Sequence, residues 1–173
     1  ILAGLGFCIL PFIAVHYRSE EGGGLASDVV VSCGAAMTLG VALGSLALGR
    51  VGDRFGHRLA MLIGLGLQAA ALAVLMLAPG LAGCVLAYAC AGLCMACGGV
   101  THYNLILETC PHEHRMAHIS ISNLLIGAPM GLAPIAAGFV AELWGRTALF
   151  AACEVLTLAA LVVYITFTVV VTE

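Results

Sequence analysis

The composition of the chain excludes most classes of soluble protein. Of its 173 residues, 62% are hydrophobic and 9% are charged, whereas soluble domains have about 45–50% apolar and about 25% charged residues. The sequence contains no lysine, and its formal net charge is −3. Too few ionised side chains are available to cover a water-exposed surface, and no basic patch is present to bind nucleic acid. We therefore expect a protein whose solvent is the lipid bilayer.

Long apolar runs, separated by short polar segments, predict helices that cross the membrane. A helix needs about 20 apolar residues to cross a hydrocarbon core of ~30 Å, and continuous apolar runs argue against the alternating strands of a β-barrel. The predicted fold class is an all-α membrane protein, in which residues 1–173 form a single bundle of six helices. The predicted spans are residues 1–17, 29–48, 59–77, 84–107, 119–140 and 148–171.

The polar segments between the spans predict the orientation of the chain. Segments 49–58 and 108–118 fall on one side of the membrane and hold four arginines, whereas segments 18–27, 78–83 and 141–147 fall on the other side and hold two. By the positive-inside rule, we expect both chain ends in the cytoplasm, in a protein of the plasma (inner) membrane. The chain begins inside an apolar run without an initiator methionine or a signal peptide, which we interpret as a piece of a longer protein.

The segment between the second and third spans carries the most informative motif, G-R-V-G-D-R-F-G-H-R at residues 49–58. Its glycines permit a tight turn between two antiparallel helices. Asp53 is expected at the positively polarised start of the third helix. Arg54 and Arg58 are expected to share one helix face, because they are four residues apart. The alternative is a simple positively charged anchor beside a turn.

The spacing G-x-x-x-D-R-x-G-x-R in this segment resembles the signature of the major facilitator superfamily of secondary transporters. His57 stands where that family usually has another basic residue, so the charge at this position depends on pH. The positions that match the signature are Gly49, Asp53, Arg54, Gly56 and Arg58.

A second match follows the fourth span, where E-T-C-P-H-E-H-R at residues 108–115 resembles the E-x-x-P-x-x-x-R element of the same superfamily through Glu108, Pro111 and Arg115. The resemblance implies that the two loops form a charge network, which closes the cytoplasmic face in one conformation. The residues expected to pair there, with each other or with the other half of the molecule, are Asp53, Arg54, Arg58, Glu108 and Arg115. The alternative is that Glu108 and Arg115 are ordinary solvated loop charges.

An internal repeat supports the same assignment. The spacing G-x-x-x-E-x-x-G at residues 138–145 repeats G-x-x-x-D-x-x-G at residues 49–56, at an offset of 89 residues (138 minus 49). Because three spans separate the copies, they fall on opposite sides of the bilayer, as a 3+3 inverted repeat predicts. The resemblance implies that six spans are half of a transporter with twelve. The resemblance implies the C-terminal half, because many N-terminal halves of the family have an arginine in the fourth span, whereas this fourth span has none and no basic central loop follows the last span.

Polar residues inside the spans are candidates for contact with a solute or a proton. An ionisable residue in lipid costs about 2.5–3.5 kcal/mol on insertion scales, so each one needs an account. The resemblance implies that the fourth and fifth spans line a central cavity and that the sixth is peripheral. The candidates are His102, Asn104, Asn123 and Glu154, the last as a carrier of a coupling proton. The alternative for each is a hydrogen-bonded structural role.

We predict neither a metal site nor a cofactor. Seven of the eight cysteines lie in predicted spans, where cysteine behaves as a small apolar residue. His112, His114 and His118 lie close to Cys110 in sequence, but no acidic residues that would support a metal site are evident. The expected function is transport of a small solute by alternating access, coupled to protons or facilitative, since the sequence contains no nucleotide-binding P-loop. The alternatives are an intramembrane enzyme that uses these histidines and a membrane scaffold or receptor.

Overall fold

The computed structural model describes the backbone of residues 7–170, so parts of the first and sixth predicted spans (residues 1–6 and 171) lie outside the described residues. Every described element is helical. The α-helices are α1 (Leu10–Arg18), α2 (Ser27–Phe55), α3 (His57–Leu77), α4 (Gly80–Ala96), α5 (His102–Thr109) and α6 (Arg115–Val170). Three 3₁₀ turns, Phe7–Ile9, Glu20–Gly22 and His112–His114, lie between or before them, and a π-helical turn, Cys97–Thr101, joins α4 to α5.

One glycine divides the longest helix. Gly145 has φ 84° and ψ 165°, which are not helical angles, and it lies inside the polar segment 141–147. We refer to residues 115–144 as α6a and to residues 146–170 as α6b. Four helical stretches of the described chain are long and apolar enough to cross a membrane, namely Ser27–Phe55, His57–Leu77, Gly80–Thr109 and His112–Phe167.

The junction between α2 and α3 differs from the expected loop. The helix continues through residues 49–55, and the single residue Gly56, with φ 89°, separates it from α3. Asp53 therefore lies in the last turn of α2 rather than at the start of the third helix. Arg54 and Arg58 belong to different helices, so the expectation that they share a helix face is wrong. The physical reason is that arginine and aspartate are compatible with a helix, whereas positive φ is easily adopted by glycine alone.

The core lies where α1, α3, α4 and α6b meet. Ile13 and Tyr17 of α1, Leu72 of α3, Ala87 of α4 and Phe150 of α6b are all buried in one cluster. Lipid-like surroundings give little hydrophobic drive for helix association, so close backbone approach carries much of the packing.

Glycines make that approach possible between α2 and α4. A Cβ atom at Gly40 would press against the carbonyl of Ala89, and one at Gly92 would overlap the backbone of Met37. Both glycines are buried. The two helices therefore pack backbone to backbone.

A buried chain of polar contacts connects three helices. Gln68 of α3 donates from Nε2 to Thr157 Oγ1 of α6b over 3.1 Å. Cys94 Sγ of α4 lies 3.7 Å from Gln68 Oε1, and Thr157 also donates to the carbonyl of Cys153. Since polar groups in an apolar interior need partners, this chain fixes the depth at which α3, α4 and α6b face one another.

Candidate functional site

The two loop motifs meet at one end of the bundle through a histidine. His57 Nε2 lies 3.6 Å from Glu108 Oε1 and 3.9 Å from Asp53 Oδ1. The imidazole is buried, with 5% of its side chain exposed, while 51% of the Glu108 side chain and 80% of the Asp53 side chain are exposed. A protonated His57 therefore forms ion pairs that hold the start of α3 against the end of α5. We call this end of the bundle the His57 end.

Two glycines place His57 in that position. Gly56 adopts φ 89°, which turns the chain sharply enough for α3 to begin at His57. Gly52, one turn earlier in α2, is buried, and a Cβ atom there would overlap the imidazole ring. His57 thus packs in the space that the missing side chain of Gly52 leaves on α2. The role of Gly52 does not follow from the sequence motif, because its position is not among those that match the family signature.

The arginines of the first motif do not reach Glu108. Arg54 is exposed, and its guanidinium lies 5.5 Å from the centre of the adjacent Phe55 ring. Arg58 is half-buried, and its backbone carbonyl accepts a hydrogen bond from Tyr164 Oη over 3.2 Å. Within residues 7–170, neither arginine forms an ion pair with Glu108. The residue that sequence reasoning treated as a departure from the motif, His57, makes the contact instead.

The remaining residues of the two motifs lie around this contact. Arg115 begins α6, and its Nε donates to the carbonyl of Cys110 over 3.5 Å, which closes the loop on itself. Pro111 precedes the 3₁₀ turn with φ −55° and ψ 142°. Gly49 lies within α2, and an added Cβ would meet nothing within 4 Å. The structure thus brings Asp53 and Glu108 together through His57 and leaves the other motif residues beside them.

Two hydrogen-bonded pairs connect α5 to α6a. His102 Nε2 lies 3.0 Å from Ser122 Oγ, and Tyr103 Oη donates to Asn123 Oδ1 over 3.1 Å. The π-turn Cys97–Thr101 directly precedes the first pair, and such turns frequently occur at functional sites. The structure therefore brings together His102 and Asn123, which the sequence singled out separately. It also adds Ser122, which sequence reasoning missed although it is next to Asn123.

The other two candidates lie apart from these pairs. Asn104 is half-buried in α5 and Glu154 is half-buried in α6b. Glu154 Oε2 is buried without a hydrogen-bond partner among the described residues. In the part of the chain that the structure describes, no hydrogen bond joins Asn104 or Glu154 to the His102 pair. Among the same residues, no group of three or more metal-ligating side chains is present.

Long apolar helices, joined at charged glycine junctions, define an integral membrane protein that crosses the bilayer several times. A family model described as Major Facilitator Superfamily matches residues 1–173. The chain therefore belongs to the major facilitator superfamily, whose members are transporters of small solutes in the lipid bilayer. The predicted family is confirmed. A comparison with curated proteins finds no match.

Proposed function

We propose that this chain is one six-helix half, the C-terminal one, of a major facilitator transporter that moves a small solute by alternating access. The observation that carries the proposal is the contact between His57 and Glu108, because it joins the two loops that the family resemblance marks. In alternating access, two halves rock about a site near the midplane, and contacts at one end break when that end opens.

In this proposal, the His57 end is a conformational latch. The buried His57 anchors the α2–α3 junction on α5, and the exposed Asp53 and Arg54 remain available to pair with the missing half. At 3.6 Å the contact between His57 and Glu108 is too long for a hydrogen bond, and an exposed ion pair contributes about 0.2–1 kcal/mol. Since Glu108 is half exposed, we assign about 1 kcal/mol to its contact. That is enough to shift the balance between two states that differ by a few kcal/mol.

Contacts between symmetry-related positions support a 3+3 inverted repeat. Gln68 and Thr157 are hydrogen bonded and differ by 89 residues, the offset of the repeated motif, as expected for equivalent residues on a two-fold axis. A second pair of contacts follows the same offset. Cys8 contacts Cys153, and the equivalent residues, Cys97 and Gly64, also pack closely, because a Cβ atom added at Gly64 would overlap the Cys97 side chain. In this proposal, spans one to three correspond to spans four to six.

The same repeat supports six membrane spans. The rod α4–π-turn–α5 is the fourth span, and Gly145 separates α6 into the fifth and sixth spans, as Gly56 separates the second and third. Large apolar side chains of the long helices, such as Leu43 of α2, Leu124 of α6a and Val162 of α6b, are exposed, which suits contact with lipid tails or with the missing half. From the distribution of arginines, we place the His57 end and both chain ends in the cytoplasm, in the plasma (inner) membrane.

The polar pairs between α5 and α6a are the proposed place of solute or proton contact. His102, Asn104 and Asn123 lie on the two helices that line the cavity in the family, and a histidine can both donate and accept protons. Glu154 is a second candidate for a coupling proton, because one of its oxygens is buried without a partner among the described residues. Energy then comes from a proton gradient or from the gradient of the solute.

The orientation can be measured with a native cysteine. Cys110 is half-buried in the loop beside Glu108. We expect a membrane-impermeant maleimide to label Cys110 in inside-out vesicles and to leave it unlabelled in intact cells. The Cys110→Ser variant supplies the background from the other cysteines. Labelling of Cys110 in intact cells would contradict the cytoplasmic placement.

Transport itself is tested with the full-length protein in two steps. Because a bound solute stabilises the folded state, sugars, amino acids, organic acids and organic cations are first screened for a rise in the melting temperature of the purified protein. A solute that raises it is then expected to undergo counterflow in proteoliposomes. Solute binding without counterflow would favour a receptor over a transporter.

A further inference from the structure

A second ion pair closes the opposite end of the bundle. Arg146 Nη2 lies 3.4 Å from Glu21 Oε2, and Arg146 Nη1 donates to the carbonyl of Val15 over 3.2 Å. The Arg146 side chain is 26% exposed and that of Glu21 is 64% exposed. Through these two contacts, the first residue of α6b holds both the last turn of α1 and the turn that follows it. We call this end of the bundle the Arg146 end.

The local geometry at Arg146 repeats that at His57. Arg146 follows Gly145, with φ 84°, and His57 follows Gly56, with φ 89°. The two glycines are 89 residues apart (145 minus 56), which is the offset of the repeated motif. In both places a positive-φ glycine precedes a helix that starts with a basic residue, and that residue reaches a glutamate near the end of another helix. In both, the basic residue is more buried than its glutamate.

A partly open pocket adjoins the second pair, because Glu21 is one of its lining residues. Its volume is about 310 Å³, and its lining includes His16, Glu21, Pro79, Thr147 and Phe150. The His16 ring is buried and packs edge-to-face against the Phe150 ring, with 5.2 Å between ring centres. Glu21 therefore forms part of the pocket wall as well as half of the ion pair, so separating α1 from α6b would widen the opening of this pocket to the medium.

We propose that Arg146 and Glu21 are positioning residues for transport: their ion pair is a second latch, which keeps the end of α1 on α6b while the Arg146 end is closed. This inference rests on the proposed function, because it assigns the second end of an alternating-access cycle. The His57–Glu108 contact keeps α5 on α3 at one end, and the Arg146–Glu21 contact keeps α1 on α6b at the other. Loosening either contact favours the state in which that end is open.

The test uses one reporter at each end of the full-length protein. Thr147 is exposed and lines the pocket, so Thr147→Cys, in a Cys110→Ser background, reports the Arg146 end, and native Cys110 reports the His57 end. We expect Glu21→Gln to raise maleimide labelling at position 147 about threefold to fivefold and to lower labelling of Cys110. The conservative variant Arg146→Lys is expected to retain the wild-type pattern. Glu20→Gln, which removes the neighbouring exposed carboxylate, is the matched control and is expected to change neither rate.

The outcomes separate this inference from the proposed function. Glu108→Gln, which loosens the first latch, serves as the reference variant. If Glu108→Gln moves the two reporters in opposite directions while Glu21→Gln changes labelling at position 147 alone, or changes neither reporter, the second latch is wrong and alternating access stands. If no variant moves the reporters in opposite directions, neither contact is a latch, and the proposed function is then decided separately by solute counterflow. A loss of fold, visible as a lower melting temperature, would raise labelling at both ends and would also count against the latch.

Discussion

Replacing Gly52 with alanine is expected to destabilise the protein and to separate the two loop motifs. The added methyl group would overlap the imidazole of His57, which is buried and would have to shift. Overpacking of this kind costs about 1–3 kcal/mol. Alanine in a helix gains about 0.5–1 kcal/mol over glycine, so the net effect is a loss. We expect a lower melting temperature of the purified protein and faster maleimide labelling of Cys110.

Gly49→Ala is the matched control for this experiment. Gly49 lies one turn earlier in the same helix, and an added methyl group there meets nothing within 4 Å. Because the helix propensity gain is then unopposed, we expect an unchanged or slightly higher melting temperature. If Gly52→Ala melted at the same temperature as Gly49→Ala, the close packing of His57 on Gly52 would be wrong.

Glu108→Gln is expected to weaken the latch while the fold remains intact. The substitution keeps the size of the side chain and removes the charge that His57 contacts at 3.6 Å. A contact worth about 1 kcal/mol corresponds to a shift of about fivefold between two states. We expect Cys110 to be labelled about fivefold faster in inside-out vesicles, as that shift implies, and counterflow to slow. Asp53→Asn is expected to slow counterflow as well, since Asp53 lies beside the same imidazole.

Glu113→Gln supplies the control for charge alone. Glu113 is exposed in the same loop, and within the described residues it forms no ion pair. We expect its labelling and counterflow rates to match those of the unmodified protein. Equal effects of Glu108→Gln and Glu113→Gln would mean that the loop responds to its total charge, and the specific contact with His57 would have no role in transport.

The helical fold was predictable because its physical cause is visible in the residues. Continuous apolar runs long enough for a bilayer predict membrane helices, and glycines mark the junctions at Gly56 and Gly145. The helix ends were less predictable, because Asp53 and Arg54 are compatible with either a helix or a loop. Their assignment was decided by which residue can adopt positive φ, and φ is a property of the backbone that charge patterns do not encode.

The contacts of the site were only partly predictable. The motifs indicated that the segments around Asp53 and Glu108 belong together, but electrostatic reasoning favoured the arginines as partners for Glu108. The partner of Glu108 depends on burial instead, because His57 packs in the space beside Gly52, whereas the Arg54 side chain is exposed to solvent. Ser122 escaped notice because serine is common in membrane helices, and its pairing with His102 depends on how α5 is rotated.

That rotation depends on the π-turn at Cys97–Thr101. A π-turn holds one residue more than an α-turn, and one residue of an α-helix corresponds to a rotation of about 100°. With a regular α-turn in its place, His102 and Tyr103 would point about a quarter of a circle away from Ser122 and Asn123, by the same geometry. The extra residue of the π-turn therefore sets the direction in which the polar side chains of α5 face, and the helix remains continuous through it.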